Sequence, residues 1–457
     1  MNTLLRKLGF ATVLILGCAQ AVQAKVPAAE AARLKDGTLM PLGGEKKANA
    51  DGSIPAWDGG LKTAPAGWTN GKYLVDPFPE DKPLFTITRD NLAQYKAKLG
   101  AGQVAMFERY PKTYRMPVYP TRRTMINAPH LYDAAYNNAL NATLSDDGDN
   151  LQNAVGAAPF PIPKTGQEVI WNHKLKNSGV SVVRPNAKIP VNQDGSFTPG
   201  MVLESVFNPI ALPGMTYESL GNVAFYYMAL YKKPTRNAGT INLAHSTLNQ
   251  RKEPQKVWEY NPGQRRLRRA PALAYDYPDP GSDGLTTIDQ IDTFNGALDR
   301  YTWKLVGKQE MYIPYNAYRI HSDKLKYKDI VRPGHINQEQ ARYELHRVWV
   351  VEANLKSGTS HAYAKRRFYL DEDGWQIVAA ENYDARGQLW RVQEDHSLVF
   401  YSKDDPRQMP VLDVSYDLLS GRYLLQQINN EDGEIKDSKF PKGHFEPDNM
   451  QNLAKGG

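Results

Sequence analysis

Two rhythms of hydrophobic and polar positions run along the chain, and they change over near residue 179. Beyond it, short runs rich in β-branched and aromatic residues recur at fairly regular spacing. They are NVAFYYMALYKK, TINLAHSTL, KVWEY, RRLRRAPALAY, DRYTWKLVGKQEMYIP, ELHRVWVVEANL, HAYAKRRFYLD, WQIVAAENYD and LWRVQEDHSLVFYS. Turn signals fall between them: NPG at Asn261, KSG at Lys356, DEDG at Asp371 and ARG at Ala385. SVVRPNAKIPV and the segment after NQDGS read as paired strands with Asp194-Gly195 at the turn. Many short strands joined by tight turns predict a mainly β protein built on a large curved antiparallel sheet, an incomplete barrel closed by helices. Along ELHRVWVVEANL both alternating sets are partly apolar, so both sheet faces are expected to be covered. Along HAYAKRRFYLD the set Ala362, Ala364, Arg366, Phe368 and Leu370 is the more core-like.

Before residue 179 the pattern differs. TRDNLAQYKAKL predicts a helix over 88–99, stopped at Gly100, and residues 28–34 a shorter one. Thr165 and Glu168 have capping-box spacing ahead of Val169, Ile170, Trp171 and Leu175, one apolar stripe of a further helix. PLGGEKKANADGSIPAWDGGL has turn chemistry and no periodicity, so it must lie on a surface built by other segments, with Trp57 and Trp68 as anchors. The expected organisation is a leader over 1–24, a helix-and-loop extension over 25–178 packed on the sheet, and the half-barrel over 179–457.

The leader follows from Arg6 and Lys7, the apolar run LGFATVLILG, and VQA ending at Ala24. The reading is a periplasmic protein cleaved near Ala24. Its alternative is a membrane-anchored lipoprotein, because ILGC partly matches a lipobox and makes Cys18 a lipidation candidate. Cys18 is the one cysteine of the chain, so cleavage at Ala24 leaves nothing to form a disulfide. Formal net charge is +7, and the leader removes two of its 56 basic residues. Export and so mild a charge exclude nucleic acid as a partner.

Catalytic and metal patterns are sparse. His-Glu-x-x-His, Gly-x-Ser-x-Gly and Walker spacings are missing, and DEDG reads as a hairpin turn rather than a calcium loop. His321, His335, His346 and His361 have no metal-ligand spacing; no metal, cofactor or catalytic residue is expected. Aromatics are the richer class. Trp258, Tyr260, Trp303, Tyr312, Trp349, Phe368 and Trp390 sit in predicted strands, either as ordinary core or as the lining of a ligand cavity. In WEYNPGQRRLRRAP, Arg266 and Arg268 share one strand face; they meet internal carboxylates or grip an anionic headgroup.

PLGGEKKANADGSIPAWDGGL, PFPIPKTGQEVIWNH, WEYNPGQRRLRRAP, TFNGALDRYTWKLVGKQEMYIPYN, ELHRVWVVEANL and YAKRRFYLDEDGWQI closely resemble a domain-of-unknown-function family of exported Gram-negative proteins, often labelled outer-membrane lipoprotein-sorting-like. The strand-rich part is similar to the carrier and receptor of the Lol system. The resemblance implies a half-barrel, a lipid or other hydrophobic ligand, and outer-membrane proteins or efflux-type inner-membrane transporters as partners. It supplies no catalytic residues, and the long N-terminal extension departs from the compact sorting carriers. The expected function is a periplasmic carrier or receptor for a hydrophobic molecule. The alternatives are an accessory subunit of an envelope transport assembly and, last, an enzyme on lipids or aromatic compounds, marked by a cluster such as His346 with Glu344 or His361 with Lys365 converging in a cavity.

Overall fold

The computed structural model describes residues 26–250, 252–269 and 276–455. The leader with Cys18 and Ala24, and the tail of RRLRRAPALAY, lie outside the described residues. Among these residues no helix is long and apolar enough to cross a membrane.

A 16-stranded sheet organises the molecule. Its path starts at Phe85–Ile87 and Met116–Val118 and passes through Tyr343–Leu355, Lys365–Asp371, Ile377–Tyr383, Leu389–Phe400, Arg407–Asp417 and Tyr423–Ile428. It then continues through Ser181–Val191, Gly200–Phe207, Val223–Lys233, Ile241–Thr247 and Lys256–Asn261 to Arg266–Arg269. Tyr301–Pro314 pairs with Tyr343–Leu355 along nearly its whole length. The first and last strands do not pair with each other, so the sheet is open rather than a closed barrel. Named strands pair antiparallel, apart from one parallel bridge between Tyr343 and Val118. The Asp194-Gly195 hairpin forms as expected, with Gly195 at φ 84°.

Both faces are covered, as the alternating patterns require. On one face Val392, Leu398, Phe400, Val414, Tyr416 and Leu425 pack against Ile87, Phe107, Tyr114 and Met116 from the N-terminal part. On the other, Val351, Phe368, Leu370 and Ile377 pack against Trp171 of the helix Gly166–Lys174. Of the core-like set of HAYAKRRFYLD, Arg366, Phe368 and Leu370 are fully buried, whereas Ala362 is exposed and Ala364 half-buried, and Tyr363 and Tyr369 of the opposite set are buried as well. Arg366 is tolerated there because Asp289 (2.6 Å) and Asn382 (2.9 Å) accept its hydrogen bonds.

The capping box forms: Thr165 Oγ1 accepts from the Glu168 N–H, and Glu168 accepts from the Thr165 N–H, both at 3.3 Å. Such a cap contributes about 1 kcal/mol. The helix expected over 88–99 is shorter. Asn91 accepts from the Thr88 N–H at 2.7 Å and donates to Thr86 O at 3.0 Å, a local turn that competes with helix, so the α-helix starts only at Leu92, runs over Leu92–Tyr95 and continues as a 3-10 turn over Lys96–Lys98. Gly100 does not end the element but caps the next one, Ala101–Arg109, with Gln103 accepting from its N–H at 3.1 Å.

Candidate functional site

The unpatterned segment PLGGEKK is held down from three sides. Trp375 Nε1 donates to Leu42 O at 2.9 Å, Arg123 Nη2 to Glu45 O at 2.8 Å, and Arg347 Nη2 to Lys47 O at 3.0 Å. Gly43, at φ 102°, passes so close to residue 161 that a Cβ would lie 1.8 Å from Pro161 O, so only glycine fits. The clamping arginines are anchored in the DEDG turn. Asp373 takes a two-pronged bond from Arg123 (2.9 and 2.6 Å), and Glu372 accepts from Arg347 (3.2 Å) and Lys308 (2.8 Å). The turn between Lys365–Asp371 and Ile377–Tyr383 is thus a hairpin turn, as its sequence predicts, and also the footing of the N-terminal segment.

The clamped segment roofs a cleft of about 350 Å³ lined by Arg33, Thr38, Leu39, Gly43, Glu45, Lys46, Lys47, Pro161, Ile162, Pro163, Lys308 and Trp349. Its floor is apolar, from Leu39, Pro161, Ile162, Pro163 and the half-buried Trp349 ring, which stacks on Trp375 at 6.2 Å. Its rim is basic. Lys308 lies directly opposite Trp349 across the strands, with Nζ 4.7 Å from the ring centroid. Glu45 is the one carboxylate of the lining, and it bonds Lys308 at 3.1 Å and approaches Arg347 at 3.5 Å. Burial alone would raise the Glu45 carboxyl, but Lys308, with Arg347 and Arg123, outweighs it and holds the group below its ordinary value. Among the described residues Lys46 and Lys47 enter no ion pair, while the charge of Arg33 acts on Asp36, so the uncompensated positive charge of the rim sits on the two lysines.

Of the residues singled out as ligand contacts, Trp349 lines this cleft and the others do not gather around it. Trp258 and Tyr260 point to a patch covered by Phe445 and Met450 of the C-terminal segment, and Trp258 lies 4.7 Å from the His245 ring. Arg266 and Arg268 pair with Asn261 and Glu259 on the exposed last strand, where Arg268 meets Glu259 at 3.1 Å. The carboxylate partner expected for the arginine cluster is therefore present for Arg268. Trp303 and Phe368 stack at 6.0 Å inside the second core, and Trp303 Nε1 donates to Leu298 O. Tyr312 packs edge-on against Phe85 and Tyr95, and Trp390 Nε1 donates to Asp417 at 3.0 Å.

The histidines do not assemble. His321 meets Glu434, His335 meets Thr113, and His361 meets Asp289 rather than Lys365. His346 does contact Glu344 at 3.0 Å, stacked on Tyr315 at 4.0 Å, but both residues are buried and neither lines the cleft. His346, Asp371 and Asp373 bring ligand-type atoms within 4.8 Å of one another. Burial, followed by the charge of Asp373, pushes the Asp371 carboxyl up to about 7. Tyr315 O–H and the Gly374 N–H donate to Asp371, and Arg123 occupies both oxygens of Asp373, so that cluster is satisfied by the chain itself.

Sequence reading missed Arg33, Lys46, Lys47, Lys308 and Glu45. The signal was the pair of lysines in a segment with no periodicity, which only the clamp brings over Trp349.

Residues 86–451 match the family described as a protein of unknown function, DUF1329. The uncharacterized protein PA3922 of Pseudomonas aeruginosa is 48% identical over 419 residues, covering 92% of this chain and 91% of its own. Two solved structures are similar at low identity. A putative outer membrane lipoprotein-sorting protein domain from Vibrio parahaemolyticus has a TM-score of 0.43 at 13% identity, over 63% of this chain and 98% of its own. A DUF1329 family protein from Desulfovibrio piger has a TM-score of 0.42 at 12% identity, over 62% of this chain and 97% of its own. The family match and the full-length relative identify this chain as a member of the DUF1329 family.

Proposed function

We propose that the protein is a non-catalytic carrier or receptor of the cell envelope, and that it holds an amphiphilic molecule with an anionic headgroup in the cleft under PLGGEKK. The observation that carries this reading is one small volume with an apolar floor around Trp349 and unpaired cations at Lys46 and Lys47 on its rim. The two halves match the two halves of an amphiphile. Each buried methylene contributes about 0.8 kcal/mol. A phosphate or carboxylate on the rim gains charge-assisted hydrogen bonds from the lysines. The volume lies at the small end for ligand sites, which suits a headgroup with the first part of a chain rather than a whole lipid.

The lining also supports a binding role over a catalytic one. It contains no histidine, cysteine or serine, and Glu45 is ion-paired and held in its charged form. A general base poised near neutrality needs the opposite environment.

Calorimetric titration of the delipidated protein with dodecyl phosphate and with dodecyl maltoside separates the contributions. The anionic detergent is expected to bind at least ~10-fold tighter, a difference near 1.4 kcal/mol. Equal affinity for the two, or no heat with either, would overturn the reading.

A further inference from the structure

The last strand of the sheet leaves an edge that the cleft does not use. Arg266–Arg269 pairs with Lys256–Asn261 on one side, and among the described residues no strand pairs with the other. All four of its residues are exposed. A strand bonded on one side turns the N–H and C=O of every second residue outward, so this edge offers free backbone donors and acceptors.

Its side chains set the chemistry of a partner. Arg266 and Arg268 stand on one face, opposite Asn261 and Glu259, while Leu267 and Arg269 stand on the other, opposite Tyr260 and Trp258. Leu267 is 40% exposed. Glu259 reaches Arg268 at 3.1 Å, and among the described residues Arg265, Arg266 and Arg269 enter no ion pair. The edge therefore combines unpaired backbone groups, cations on both faces and one apolar side chain.

Three kinds of occupant meet such an edge. A second copy of this strand, paired antiparallel, sets arginine against arginine, which is unfavourable. A flat anionic membrane engages one face at a time, and the arginines here point to both. An added strand meets both faces at once, bonds the free backbone, and sets each of its side chains opposite one of this strand.

We propose that Arg266–Arg269 is a docking edge for an extended acidic segment of another protein, which adds to the sheet as an antiparallel strand. Acidic residues lie opposite Arg269, Arg268 and Arg266, and an apolar residue lies opposite Leu267. In chain order the partner reads acidic, acidic, apolar, acidic.

Fluorescence anisotropy of the whole protein tests this with the peptide Thr-Glu-Glu-Val-Glu-Thr, labelled with fluorescein at its N-terminus and amidated at its C-terminus. It is expected to bind at least ~10-fold tighter than Thr-Lys-Lys-Val-Lys-Thr. Two N-methylated forms, blocked at odd or at even positions, separate strand pairing from plain charge attraction. One form should lose about 10-fold and the other keep its affinity, because only alternate N–H groups face the edge. Arg266→Gln with Arg268→Gln should weaken the acidic peptide roughly 10-fold, whereas Lys46→Gln with Lys47→Gln should leave it unchanged. Arginines that only guard the edge against self-association bind no peptide, and that result would overturn the proposal. Equal binding of the acidic and basic peptides, or indifference to both methylation patterns, would overturn it too. Pelleting with phosphatidylglycerol vesicles without peptide binding would assign the arginines to a membrane instead.

Discussion

The arginine-rich hairpin at WEYNPGQRRLRRAP and the cleft under PLGGEKK contain the same ingredients, aromatic rings and basic side chains, yet only the cleft puts them in one volume. In the hairpin, strand alternation sends Trp258 and Tyr260 to a face packed against the C-terminal segment, while Arg266 and Arg268 take the opposite side of an exposed edge. In the cleft, Lys46 and Lys47 come from a segment roughly 300 residues distant in sequence from Trp349, and buried arginines carry them there. A run of charge next to aromatics in the sequence is thus weak grounds for a site, because a strand separates what a clamp joins.

The strongest way to break the comparison is through the clamp. The Arg123 side chain is 2% exposed and paired with Asp373, so Arg123→Gln leaves a buried carboxylate without its partner and should cost ~3–5 kcal/mol, read as a drop in the denaturation midpoint. Arg268→Gln, removing an exposed ion pair of the hairpin, should cost less than ~1 kcal/mol in the same assay. Next in size is Trp349→Leu, which keeps an apolar floor but removes the ring. Dodecyl phosphate affinity should fall on the order of 30-fold, near 2 kcal/mol, as for a central aromatic contact. Lys46→Gln with Lys47→Gln should weaken the same ligand by roughly 5- to 10-fold, and the deficit should shrink in high salt because these charges face water. The matching hairpin change, Arg266→Gln with Arg268→Gln, should leave ligand affinity unchanged within error.

The smallest effect comes from Glu45. Its carboxylate competes with an anionic ligand for Lys308, so Glu45→Gln should tighten binding by a few-fold at neutral pH. Because its neighbours hold the group below the ordinary carboxylate value, the wild-type residue is charged at every pH above that ordinary value. The difference between wild type and variant should therefore persist from pH 8 to about 5 and vanish as Glu45 takes up its proton. A gain from Glu45→Gln that grows in acid would contradict the ion-pair account.

The strand grammar was readable because each run has a period of two and explicit turn residues, and Thr165–Glu168 marked its helix through local bonding. The 88–99 helix was over-read because Asn91 spends its side chain on a turn, a choice that periodicity does not express. Trp349 was visible as an aromatic in a strand. Its neighbours in the cleft were not, because Gly43, Arg123 and the DEDG carboxylates act together only once Leu42 reaches Trp375.

The most direct test is native mass spectrometry of the protein purified from its native host without detergent. The account predicts a bound anionic amphiphile that is depleted in the Lys46→Gln/Lys47→Gln and Trp349→Leu proteins and retained in the Arg266→Gln/Arg268→Gln protein. A protein that arrives empty, or one that carries the same ligand at equal occupancy in all of these forms, would contradict it.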